Sequence, residues 1–140
     1  EREKEEEARL RGISNLRFRP YQRRERLADS LSVPDLHFVS LRAEMEGLVV
    51  PSKFYGIAAA GRPTIFVGST EGEIGRVIND AKCGFAIGVG DVRGVVSAIR
   101  CLRDDPKLLL EYGENARRVF EARYDKSRAI SAWKKVLQEA

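Results

Sequence analysis

Short apolar runs and amphipathic helical stretches take turns along this chain. Leu36-His37-Phe38-Val39-Ser40-Leu41, Thr64-Ile65-Phe66-Val67-Gly68 and Gly84-Phe85-Ala86-Ile87-Gly88 are mostly apolar and bounded by turn residues. Runs of this kind suit strands buried on both faces, as in parallel sheets. Asn15-Leu16-Arg17-Phe18-Arg19 alternates polar and apolar, stops at Pro20, and predicts a further short strand. Helical spacing fills the gaps. Tyr21 to Leu31 places Leu27, Ala28 and Leu31 together, and Val33-Pro34-Asp35 breaks it. Pro51-Ser52-Lys53 opens a segment that ends at Ala60-Gly61, proline and glycine standing where a helix favours them. Glu73 to Lys82 aligns Ile74, Val77, Ile78 and Ala81. Asp91 is placed to cap a helix whose apolar face is Val95, Ala98, Ile99 and Leu102. Another, begun at Asp104-Asp105-Pro106, aligns Leu109, Tyr112, Ala116, Val119 and Phe120. The last restarts at Asp125, and its Ile130, Trp133, Val136 and Leu137 read as a core stripe.

With a charged opening helix from Glu1 to Leu10, ended by Gly12, the order is αβαβαβαβααα. Glu5 with Arg9 and Glu7 with Arg11 have helical ion-pair spacing. The order predicts an α/β protein: a Rossmann-like, three-layer parallel sheet with helices on both faces, plus C-terminal helices. A length of 140 residues fits a single domain, 1–140. The chain starts with glutamate rather than methionine, which reads as a piece of something longer.

Composition excludes several classes. Hydrophobic residues are 43% and charged residues 33%, which is globular rather than disordered. No apolar run approaches the roughly 18 residues of a membrane helix. Two cysteines and one histidine exclude the usual Cys/His zinc site, so no metal is expected. Cys83 and Cys101 read as buried, inert free thiols, which fits the cytoplasm. His37, inside an apolar strand, reads as structural. A net charge of +4, shared evenly between the two halves, permits an anionic partner without requiring one.

In parallel sheets ligands gather beyond the carboxyl ends of the strands. The loop after Leu41 is therefore the first place to look. It runs Glu44-Met45-Glu46-Gly47-Leu48-Val49-Val50 into a helix start at Pro51-Ser52-Lys53. Free N–H groups and the helix dipole suit such an end to phosphate. Ser52 adds a hydroxyl and Lys53 a positive charge. Glu46 beside that point would repel phosphate, so its natural task is to accept from neutral hydroxyls of the same ligand. A sugar joined to a diphosphate has both features. The plain alternative is an ordinary strand–loop–helix joint with a solvated glutamate.

Glu46-Gly47, Val50-Pro51-Ser52-Lys53-Phe54-Tyr55 and Ala59-Ala60-Gly61-Arg62-Pro63 together resemble the donor-site signature of family 4 glycosyltransferases, which have the GT-B architecture. Gly68-Ser69-Thr70-Glu71-Gly72-Glu73-Ile74, Cys83-Gly84-Phe85, Val89-Gly90-Asp91 and Tyr112-Gly113-Glu114-Asn115-Ala116-Arg117 follow in the family's order. The resemblance runs from about Gly12 to the end. It implies the C-terminal, nucleotide-sugar-binding half of such an enzyme, with the N-terminal acceptor domain as its missing partner. Glu46 would hold the donor sugar as the catalytic-site acid. Gly47, Val49, Val50, Pro51, Ser52 and Lys53 would face the diphosphate, with Glu73 nearby. The family's second motif glutamate aligns with Gly56, so ribose recognition does not carry over.

The implied reaction is hexosyl transfer to an acceptor hydroxyl in cell-envelope polysaccharide or glycolipid assembly. It would need no cofactor beyond the donor itself. The site would be cytoplasmic, with peripheral contact at the inner membrane face and lipid-linked acceptors within its scope. The isolated piece is expected to be inactive, since catalysis needs both halves of the cleft. A non-catalytic binding or interaction module and a relative of sugar-nucleotide epimerases are the alternatives.

Other signals resolve to simpler readings. Gly88-Val89-Gly90-Asp91-Val92-Arg93-Gly94 has GxGxxxG spacing rather than GxGxxG, and reads as a turn with a cap. Arg9, Arg11, Arg17, Arg19, Arg23, Arg24 and Arg26 make a basic stretch without a nucleic-acid module, so no nucleic acid is expected. The last helix reaches toward the N-terminal domain in the family, which predicts a homodimer through its uncovered face.

Overall fold

The computed structural model describes residues 2–139. It is an α/β protein built on a small parallel sheet of three strands: β1 (His37–Ser40), β2 (Thr64–Val67) and β3 (Gly84–Ile87), in that spatial order. The register sets Phe38 beside Ile65 and Ile65 beside Phe85, and likewise Val39 beside Phe66 and Phe66 beside Ala86.

Seven α-helices accompany the sheet among the described residues: α1 (Arg2–Leu10), α2 (Leu27–Ser32), α3 (Lys53–Ala59), α4 (Glu73–Ala81), α5 (Val92–Asp104), α6 (Pro106–Val119) and α7 (Lys126–Glu139). Alternation along β2 divides the core. Phe66 joins Val39, Phe54 and Ile57 of α3, Ile74, Val77 and Ile78 of α4, and Ala116 and Val119 of α6. Ile65 joins Ile87 and Ala98 of α5.

The expected helix boundaries hold where a side chain or a glycine enforces them. Asp91 accepts from Gly94 N–H at 2.8 Å, and Asp105 accepts from the N–H groups of Lys107 and Leu108, both at 3.0 Å. Gly12, at φ +66°, ends α1 while Ile13 N–H donates back to the Ala8 carbonyl at 3.0 Å. Of the two expected N-terminal ion pairs, Glu7–Arg11 forms, at 2.6 Å.

Several expectations are corrected. Residues 15–19 are irregular, not a strand. A strand exists only by pairing, and this stretch meets no sheet edge; Leu16 stays half exposed. The helix expected from Tyr21 begins only at a 3₁₀ turn, Arg24–Arg26. β1 is an edge strand, so Phe38 is 59% exposed where a doubly buried strand was expected. The C-terminal face is not core: Trp133 is 67% exposed and Ile130, Val136 and Leu137 also face solvent, because α7 leaves the body beyond a π-turn at Phe120–Tyr124. Cys83 is buried as expected, but Cys101 lies on the open side of α5.

Candidate functional site

The carboxyl ends of β1 and β2 deliver two loops to one place. After β1 the chain makes a 3₁₀ turn, Ala43–Met45, and reaches Glu46; Gly47 then reverses it at φ +79°, a left-handed conformation that suits glycine. After β2, Gly68 to Gly72 leads into α4, whose first residue is Glu73. A cleft of about 170 Å³ lies between these loops, lined by Leu41, Glu46, Gly47, Leu48, Val49, Val50, Pro51, Glu73 and Ile74. Two carboxylates from separate loops thus share one apolar hollow.

Glu46 is half-buried, and its Oε1 accepts from the Glu73 N–H at 3.3 Å. The residue capping α4 is Gly72, which has no side chain to serve that N–H. Glu46 therefore does from another loop what a Ser or Asp cap does locally. The Glu46 carboxylate thus reaches the start of α4, while it shares the cleft with Val50 and Pro51, which lead into α3. A Cβ on Gly72 would run into that carboxylate, so the glycine is what lets Glu46 approach. Two acids at the positive end of α4 are electrostatically favourable. Together they leave that end unfit for phosphate and suited to hydroxyl groups.

The start of α3 differs from expectation. The helix has only seven residues, and the N–H groups of Phe54 and Tyr55 already donate to the carbonyls of Pro51 and Ser52, at 3.0 and 3.2 Å. Ser52 makes no side-chain cap bond. Both Ser52 and Lys53 are exposed just outside the cleft lining. Charge for an anion there comes from Lys53 more than from a helix end.

Sequence reasoning missed Tyr55. Its hydroxyl donates to Glu73 Oε1 at 3.1 Å, across 18 residues of sequence, so no local spacing announces it. Its ring packs tilted against Tyr124, centroids 4.8 Å apart, and meets Phe54 edge-on at 5.7 Å. Burial and the neighbouring Glu73 carboxylate push the Tyr55 phenol up to about 12. It remains a donor at every physiological pH.

No family model, curated protein or solved structure matches the chain. What the cleft can do is read from its own chemistry.

His37 is structural, as expected: its Nε2 donates to the Leu31 carbonyl at 2.8 Å. No group of three or more His, Cys, Asp or Glu side chains suited to a metal occurs among the described residues. No helix among the described residues is long and apolar enough to cross a membrane. A larger hollow, about 670 Å³, lies between α1 and residues 12–19. A charged helix and an irregular segment form its walls, with no strand end to fix a ligand's position.

Proposed function

We propose that this chain is the donor-binding domain of a GT-B glycosyltransferase resembling family 4, its small parallel sheet and flanking helices forming a Rossmann-like, three-layer arrangement. The observation that carries this reading is the meeting of Glu46 and Glu73 at the mouth of β1 and β2. Their carboxylates would accept hydrogen bonds from the hydroxyls of a donor sugar. The backbone from Gly47 to Pro51, with Ser52 and Lys53 beside it, would face the diphosphate. Stabilising the leaving diphosphate by N–H donors and a cation needs no metal. Transfer to an acceptor hydroxyl would require a second domain across the cleft, since reaction depends on holding donor and acceptor together.

Calorimetry tests this with UDP, GDP, UDP-glucose, UDP-N-acetylglucosamine and GDP-mannose. Binding of at least one sugar nucleotide, lost by about tenfold or more in Glu46→Gln, is expected for a charge-assisted contact of roughly 1.5–3 kcal/mol. No heat with any of them overturns the reading.

The size of the cleft favours a second reading. At about 170 Å³ it falls below the roughly 300–1,000 Å³ of most small-molecule sites. A module that binds part of a nucleotide sugar, or a protein partner, without turnover would suit that volume. Nucleotide-sugar binding with no transfer, even when an acceptor domain is supplied in trans, would select it.

A further inference from the structure

We propose that Tyr55 is a positioning residue: it holds the Glu73 carboxylate in place as an acceptor for the donor sugar, and so sets affinity for the sugar rather than for the nucleotide. The inference rests on the donor-domain reading of the same cleft.

Glu73 lines the cleft but is exposed, and a free glutamate samples many rotamers. Ordering it at the moment of binding would weaken the complex; ordering it beforehand does not. Tyr55 supplies that order from α3. Its phenol donates to Oε1 of Glu73, and a hydrogen bond to a carboxylate is stronger than one between neutral groups. With Oε1 engaged, Oε2 keeps its accepting capacity for a ligand hydroxyl. The phenol is itself fixed, because its ring packs against Phe54 of the same helix and against Tyr124 of the π-turn. Burial and Glu73 both keep it protonated, so the donor is never lost near neutral pH. Glu46 is held by other means, through the Glu73 N–H. The two acids of the cleft are thus oriented independently, one by backbone and one by a tyrosine that does not itself line the cleft.

Tyr55→Phe keeps both ring contacts and removes only the hydroxyl, so folding is retained. The sugar nucleotide that the wild type binds is expected to weaken about five- to tenfold in Tyr55→Phe, while UDP or GDP alone changes less than about twofold. An NMR titration of Tyr55 in Glu73→Gln supplies a ligand-free readout: its ionisation should fall from about 12 toward the ordinary tyrosine value. A wild type that binds no sugar nucleotide overturns the donor-domain reading and this role with it. A wild type that binds, matched by Tyr55→Phe, overturns the positioning role alone. Equal loss for nucleotide and sugar nucleotide marks a merely structural residue and also overturns it. An unchanged Tyr55 titration in Glu73→Gln refutes the pairing itself, whatever binds.

Discussion

Where Gly72 carries only hydrogen, Glu46 places its carboxylate. The backbone at Gly72, φ −72° and ψ 174°, is one that alanine adopts without strain. Gly72→Ala therefore acts through the contact and not through the chain's conformation. The flexible end of Glu46 should swing out, leaving the Glu73 N–H without its acceptor. The expected stability loss is about 1 kcal/mol, that of a lost helix cap. Glu46→Gln keeps an acceptor oxygen and should cost less than Gly72→Ala in urea unfolding. If Gly72→Ala is as stable as wild type, Glu46 is not a cap. The two cysteines give a second test. Cys83 is wholly buried, and burial pushes its thiol up to about 11, whereas Cys101 is exposed. Thiolate is the reactive form, so a disulfide reagent should label one thiol quickly and the other only on unfolding. Cys101→Ser should remove the fast phase; two equal phases in the wild type would contradict the burial.

At the scale of elements, local signals were legible and partnership was not. Asp91, Asp105 and Gly12 mark helix ends because each satisfies backbone groups next to it in sequence. The runs that became β1, β2 and β3 were apolar enough to be found, yet the alternating Asn15–Arg19 stretch was equally convincing and pairs with nothing. Pairing depends on a neighbour at any distance along the chain, and spacing carries no information on it. Glu46 shows the same limit within the site: its residue type and its loop were readable, but its hydrogen bond with the Glu73 N–H joins residues 27 apart in sequence, which spacing does not reveal. Asp125 is a local feature with a pH consequence. The Ser127 hydroxyl, then the Ser127 backbone N–H, holds its carboxyl below the ordinary aspartate value, with smaller help from the Lys126 N–H and Arg128. A depressed folded value means that the contribution is complete above the unfolded value of about 3.9 and disappears as pH falls through the folded one. The protection factors of amides at the start of α7, taken relative to the intrinsic exchange rate at each pH, should therefore fall on acidification below about pH 4. Asp125→Asn should remove that pH dependence. Protection factors that stay flat from pH 5 down to pH 2 would show the cap to be unimportant.

The whole molecule is unevenly covered. The cores on the two sides of β2 are closed by α3, α4 and α6 and by α5, while the outer side of β1 and the apolar stripe of α7 stay open. α7 meets the body through the Phe120–Tyr124 turn, and its apolar stripe stays exposed among the described residues. An apolar surface that gains about 25 cal/mol for every Å² removed from water favours association when concentration allows. Trp133 is the single tryptophan and lies in the middle of that stripe, so its fluorescence reports directly. In dilute solution the emission should be that of a water-exposed indole. With rising concentration it should shift to the blue while light scattering records growth from monomer to dimer. Trp133→Gln should stay monomeric over the same range. The other open surface needs its own control, because Phe38 on the free edge of β1 could pair strand to strand with a second copy. If Phe38→Thr abolishes the dimer and Trp133→Gln does not, the sheet edge carries the association. A monomer at every concentration, with unchanged emission, would mean that neither surface is sticky enough to self-associate and that the stripe of α7 awaits a different occupant.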